Sequence, residues 1–285
     1  MRHVLTAAHC IAAFEEQTRE KQIKVRCGDF NLQYSEDDQD VQVGEVAHYD
    51  IHERYDHRKA NYDIAIMHLK IQLTPSQSVR PICLEDPSSA RSSSEAVFVV
   101  GWGEDWVGQI GGKLKVAQLQ ILEPEYCEKA VSKDIPRYGV FGQDLFCADD
   151  LTGGISGSCH GDSGGPVFSF NTDTQRFELK GLVNGGKVCG AFGLPDIYTK
   201  TGFDAVHNWI VETISGCKDG HLQCVSRDNC PYVKSLYSQV LGRIDQNEKL
   251  DKFREIKALV CDKKKRTFCC SPNETKIEGI VRIDY

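Results

Sequence analysis

Between Ile23 and Thr199 the apolar residues come in short runs, most of them closed by glycine, proline or a polar cluster. Ile23 to Cys27 and Val41 to Val46 alternate as half-buried strands do, with Gly28-Asp29 and Glu36-Asp37-Asp38 as the turns between them. Asp63 to Leu69, Ala96 to Val100, Leu114 to Leu122, Pro166 to Phe170, Phe177 to Val183 and Ile197 to Thr199 follow. Many short strands with little helix predict an all-β architecture of barrels or a sandwich. Pro75, Pro81, Pro87 and the polar run Ser88 to Ser94 mark a connection able to join two subdomains. Phe203 to Val211 has helical spacing on one face and ends the β region. From Cys217 the texture changes to dense cysteines and lysine-rich helical stretches around Tyr232 to Leu241 and Glu248 to Val260, which places a boundary near Ser215.

A chain of 285 residues has room for one large or two smaller domains, and 40% hydrophobic with 26% charged residues excludes a wholly disordered or collagen-like chain. The net charge of −7 is uneven: residues 217–285 hold 14 Lys and Arg against 10 Asp and Glu, leaving 20 against 31 before them. An acidic body with a mildly basic tail gives no reason to expect nucleic-acid binding. Thirteen cysteines, without paired C-x-x-C knuckles or an H-E-x-x-H, point to an oxidising, extracellular compartment. Asn273-Glu274-Thr275 is a glycosylation sequon that agrees with this. No apolar run approaches membrane-spanning length. Met1-Arg2-His3 before Val4-Leu5-Thr6-Ala7-Ala8 looks like the start of a signal peptide, but His9, Cys10, Glu15 and Glu16 interrupt it.

Cys159-His160-Gly161-Asp162-Ser163-Gly164-Gly165-Pro166 sets one serine among glycines. A serine hydroxyl becomes a nucleophile only with a base to take its proton and donors to stabilise the oxyanion formed at a carbonyl. The base is a histidine, oriented by a carboxylate. Thr6-Ala7-Ala8-His9-Cys10 and Asp63-Ile64-Ala65-Ile66 supply both, in the chain order His, Asp, Ser. With Gly161-Asp162-Ser163-Gly164-Gly165-Pro166, these strings resemble the chymotrypsin-type serine proteases. The resemblance implies two Greek-key antiparallel β-barrels, with Ser163 as nucleophile, His9 as general base and acid, and Asp63 as the orienting carboxylate. Gly161 and Ser163 would donate the oxyanion-hole N–H groups, and no cofactor or metal is implied. His48, His52, His57 and His68 are read as surface or packing residues.

By the same resemblance Gly157 stands at the base of the specificity pocket, where trypsin-like members carry aspartate. Gly193 to Tyr198 resembles the opposite wall, with Asp196 where glycine is usual. A carboxylate there implies a basic, or mixed basic and apolar, preference. Asn184 and Gly186 fall in the substrate-pairing segment Leu182 to Gly186, where Gly185 replaces an aromatic floor. Family spacing pairs Cys127 with Cys147 and Cys159 with Cys189, and Val97 and Ser169 stand where a further bridge would be. Cys10, Cys27 and Cys83 are left over. Family members carry an activation site and further strands before the histidine motif. The freed amine then meets the carboxylate that corresponds to Asp162. The expectation is therefore a partial chain, with Asp162 as its activation-pocket residue.

Cys217, Cys224, Cys230, Cys261, Cys269 and Cys270 can pair in many ways. Gly220 to Val225 and Asn229 to Tyr232 add to a resemblance to the clip domain of arthropod immune and developmental proteases. That resemblance implies Cys217 with Cys269, Cys224 with Cys261 and Cys230 with Cys270. The expected organisation is a protease domain over residues 1–216, a clip module over 217–270 and a linker or tail over 271–285. The expected function is a secreted serine endopeptidase of an extracellular cascade, acting on proteins such as other zymogens and met by serpin-type inhibitors, with no nucleic-acid or membrane partner. The alternative is a catalytically impaired clip-bearing homologue that binds and regulates.

Overall fold

The computed structural model describes residues 1–17, 22–33, 40–87, 95–105, 107–132, 141, 143–152, 156–186, 188–191 and 193–214, and beyond these 223–226, 235–236, 238–239, 252, 260–262 and 267–270. The chain divides into two compact units, the first running to His207 and the second beginning at Asn208. No described helix is long and apolar enough to cross a membrane.

The first unit is built on two sheets. In the smaller, β1 (His3–Thr6), β4 (Ala65–Leu69), β3 (Gln42–Ile51) and β2 (Lys24–Cys27) lie side by side, all antiparallel. Alternation in β3 and β4 sends Val46, Ala65, Met67 and Leu69 to one face, where Ile11 and Leu73 close a core cluster. Together these strands form a half-barrel.

The second sheet closes on itself. β6 (Ala96–Gly101), β7 (Lys115–Ile121), β8 (Leu145–Asp149), β11 (Asp196–Lys200), β10 (Arg176–Gly185) and β9 (Pro166–Asn171) pair in that order, and β9 returns to β6, giving a six-stranded antiparallel barrel. β5 (Cys83–Leu84) is added to β10 in parallel. Val97, Val99, Leu119, Phe146, Ala148, Val167, Val183 and Tyr198 fill the interior, with the Phe146 and Tyr198 rings 5.2 Å apart. Ser169 instead bonds Glu95 through its hydroxyl at 2.7 Å. Against β5 and β10 a buried lysine gathers three carboxylates: Lys180 Nζ lies 2.9 Å from Glu85, 3.1 Å from Glu95 and 3.6 Å from Glu178.

Several elements differ from the sequence reading or are added to it, the short strands β1 and β5 among them. The Ala-rich segment after β1 is a helix, α1 (Ala8–Gln17), and a second helix, α2 (Pro124–Ser132), precedes β8. β8 itself has no alternation to betray it, because all five of its residues are buried. The helix expected near Phe203 is α3 (Asp204–Ile214). In the second unit, β12 (Gln223–Ser226), β14 (Thr267–Cys270) and β13 (Val260–Asp262) form an antiparallel sheet whose backbone register sets Cys224 opposite Cys269. Cys217 and Cys230, most of the expected lysine-rich helices and the tail 271–285 lie outside the described residues, as do the side chains of Cys224, Cys261, Cys269 and Cys270.

Candidate active site

The end of β1 and the start of β4 are adjacent, since Thr6 pairs with Ala65, and this register brings the residues just beyond them together. Asp63 is buried and holds His9 twice: its Oδ2 lies 2.6 Å from Nδ1 of the ring, and its Oδ1 accepts the His9 backbone N–H at 2.8 Å. His9 stands in the first turn of α1, so Asp63 also caps that helix from 54 residues away. Burial disfavours the charged ring. The Asp63 hydrogen bond and charge, with the Cys10 thiol, outweigh it and push the His9 pKa up to about 10.

The loop before β9 reaches the same place from the other sheet. A β-carbon on Gly164 would stand 2.8 Å from the Ala7 nitrogen, so only glycine lets the Ser163 loop come this close to β1. Cys10 Sγ lies 3.5 Å from His9 Nε2 and 3.6 Å from the Ser163 carbonyl oxygen, bridging the two. Gly161 takes φ +95°, a conformation closed to most side chains. The neighbouring Asp162 N–H is spent on Cys159 O at 3.0 Å and the Gly164 N–H on Val183 O at 2.8 Å. Among the described residues no protein acceptor takes the Gly161 or Ser163 N–H, the pair an oxyanion would need.

Asp162 is not stranded. Its Oδ1 accepts the Gly103 N–H at 2.8 Å and its Oδ2 the Cys159 N–H at 3.0 Å. It borders a cavity of about 180 Å³ lined also by Gly101, Gly103, Lys115, Gly157 and Gly190. The sulfurs of Cys159 and Cys189 are bonded, as are those of Cys127 and Cys147. The first bridge ties the loop carrying Ser163 to the segment before β11, and a loop of this length is worth about 3–4 kcal/mol.

Asp196, at the start of β11, fills the space between two glycines. β-Carbons on Gly157 and Gly186 would stand 2.6 Å and 2.5 Å from its two oxygens. Oδ2 accepts both the Ser158 N–H at 2.6 Å and the Ser158 hydroxyl at 3.0 Å. Burial pushes its pKa up to about 6 against these two bonds. The Asn184 amide donates to Ala60 O at 2.9 Å and Thr199 Oγ1 at 3.0 Å, while Thr199 donates to Asp63 O at 3.1 Å.

Sequence reasoning did not single out Ser158, Thr199 or Asp144. Asp144 accepts from Tyr62 N at 2.7 Å and Asn61 Nδ2 at 3.2 Å, and so holds the loop before Asp63, in which Ala60 and Tyr62 take φ of 53° and 50°. A left-handed backbone at two non-glycine residues persists only where its surroundings impose it. Asp144 and Asn184 supply that constraint. None of the three residues lies in a recognisable string: Asp144 and Thr199 act through the packing of β8 and β11 against the Asp63 loop, and Ser158 through Asp196.

The family model described as trypsin matches residues 1–210. Among curated proteins, phenoloxidase-activating factor 1 of Holotrichia diomphalia is 31% identical over 222 residues, covering 73% of this chain and 58% of that protein. The proclotting enzyme of Tachypleus tridentatus is 34% identical over 223 residues, 74% of this chain and 56% of the relative. Coagulation factor XII of Bos taurus is 31% identical over 69% of this chain and 32% of its own length. The chain thus spans little more than half the length of the first two relatives. With its closed barrel, half-barrel and family match, the chain belongs to the trypsin-like serine proteases.

Proposed function

We propose that the chain is a serine endopeptidase working through an acyl-enzyme, with Ser163 attacking the peptide carbonyl, His9 taking and returning the proton, and Asp63 fixing the ring so that Nε2 faces the reacting atoms. The observation that carries this is the double hold of Asp63 on His9 beside the loop of Ser163. The N–H groups of Gly161 and Ser163 receive the oxyanion, and Asp162, anchored by Gly103 and Cys159, keeps that loop in shape. The cavity beside Asp162 suits the activation role expected of that residue. The Asp196 carboxylate selects Lys or Arg at the residue before the scissile bond. Gly157 and Gly186 give it room and the backbone of Asn184 and Gly186 pairs with the substrate.

The two disulfides support an oxidising, extracellular setting. The relatives, an activating factor and clotting proteins by name, support a place in a cascade in which the substrates are other zymogens and serpin-type inhibitors are the natural opponents. Residues 217–270 are proposed as a clip module. The test is labelling with a serine-directed fluorophosphonate: labelling that disappears in Ser163→Ala is expected. A chain that takes no label at neutral or alkaline pH would be a binding homologue instead.

A further inference from the structure

A row of three imidazoles crosses the half-barrel. His3 of β1 is opposite His68 of β4, which is opposite His48 of β3. Alternation in β4, with the register break between Val46 and His48 in β3, puts this row on the face away from Met67 and Leu69, so the core does not consume it. The His48 and His68 rings stack with centroids 4.2 Å apart and 12° between planes, and His3 meets His68 edge-on at 4.9 Å. Asp50, two residues past His48 and therefore on the same face, brings Oδ2 to 2.8 Å from His68 Nε2. One ligand atom from each of His48, Asp50 and His68 lies within 4.8 Å of the other two.

We propose that His48, Asp50 and His68 form a binding site for a divalent transition metal of the zinc class, separate from the catalytic site. Two neutral imidazoles and a carboxylate are the donor set such an ion takes, whereas magnesium and calcium demand mainly oxygen. A tetrahedral zinc holds its ligand atoms roughly 3.3–3.5 Å apart, so the side chains shift by up to about 1.5 Å and the exposed His48 ring turns out of its stack on His68, since two parallel rings cannot both aim a lone pair at one ion. His68 is buried, Asp50 is partly covered and His48 is exposed, which leaves a route of entry and an open position for water. His3, edge-on to His68, steadies the buried ring from the opposite side.

The site joins β3 to β4 at the end of the sheet remote from catalysis. Three steps along the β1–β4 register, about 10 Å, separate the His3–His68 row from the Thr6–Ala65 row beside His9 and Asp63. The ion therefore has a structural role, holding the strands that present the catalytic pair, and takes no part in proton transfer.

The test uses the full chain with its disulfides intact, stripped with chelator and titrated at pH 8 with Zn²⁺ by calorimetry and with Co²⁺ by visible absorption. The expected result is one equivalent bound, a cobalt spectrum of nitrogen and oxygen ligands, and a higher melting temperature in Zn²⁺. His48→Ala, at an exposed position, and Asp50→Asn should each weaken binding by at least about tenfold, the low end of what even an outer-shell partner contributes, with unchanged circular dichroism. Equal affinity in both variants, thiolate-to-cobalt absorption, or no saturable binding of either ion would reduce the row to a packing stack and overturn the proposal.

Discussion

Asp63 holds both the ring and the backbone N–H of His9, at 2.6 Å and 2.8 Å, so one carboxylate orients the proposed base and caps the start of the helix that carries it. Asp63→Asn keeps an acceptor for the helix N–H but offers the ring the wrong partner. It should lower kcat by about 10⁴-fold, with unchanged circular dichroism. Asp63→Ala should show the same kinetic loss and also destabilise the fold by about 1 kcal/mol, the cost of a lost helix cap. Stopped-flow acylation and urea denaturation of the two variants separate the two roles.

Cys10 is a free thiol 3.5 Å from His9 Nε2, the nitrogen proposed to take the serine proton, and after Asp63 it contributes to pushing the His9 pKa up to about 10. Acylation requires neutral His9, so fluorophosphonate labelling should keep rising with pH well above 8. In Cys10→Ala the midpoint should fall towards the ordinary histidine range. The folding contribution has the opposite sense, because a raised pKa stabilises fully below about 6.5 and the benefit fades as pH climbs through about 10. A labelling midpoint unmoved by Cys10→Ala would refute this.

The pocket carboxylate titrates in an accessible range. Asp196 has a pKa raised to about 6 by burial, so it is neutral in mild acid and charged above. Selectivity for Lys or Arg over Gln before the scissile bond should therefore grow through pH 6, by roughly ten- to a hundredfold if the new charge contributes about 1.5–3 kcal/mol. Asp196→Asn should flatten that profile. For folding, the native state binds more protons than the unfolded chain between about 3.8 and 6, so ionising Asp196 costs stability as pH rises across that window. Asp196→Asn should melt higher than the parent at pH 8.

Lys180 answers three carboxylates at once, and the hydrogen bonds and charges of Glu85 and Glu95 raise its pKa despite burial. Lys180→Met removes the cation that Glu85, Glu95 and Glu178 share, an expected loss of about 3–5 kcal/mol in urea denaturation at pH 7. The loss should shrink in acid, where the carboxylates take up protons. An equal deficit at both pH values would mean that the missing stability is packing and not charge.

The family and its candidate catalytic strings were legible because each string is local: a turn, a strand start or a helix start carries its own chemistry. Most strands of the barrel were legible through their apolar runs. α1 was not, since its cap is Asp63, far along the chain, and no residue before Ala8 announces it. β8 was missed because burial on both faces erases alternation. α2 did offer Pro124 at its first position and Glu125 in its first turn, both ordinary start signals. The histidine row had no signal of any kind in the sequence. His3, His48 and His68 meet only because the register of three strands aligns them.

The glycine at 157 and the aspartate at 196 are alternatives, not independent choices. An aspartate introduced at 157 would set its first side-chain carbon 2.6 Å from an Asp196 oxygen, with a second carboxylate to follow into the same space. The two positions cannot be charged together. A path from this arrangement to one with its acid at residue 157 must first discard Asp196 and pass through an intermediate with no carboxylate in that space. If Asp196 sets the preference as proposed, the two pockets differ by a pair of residues that must change in a fixed order.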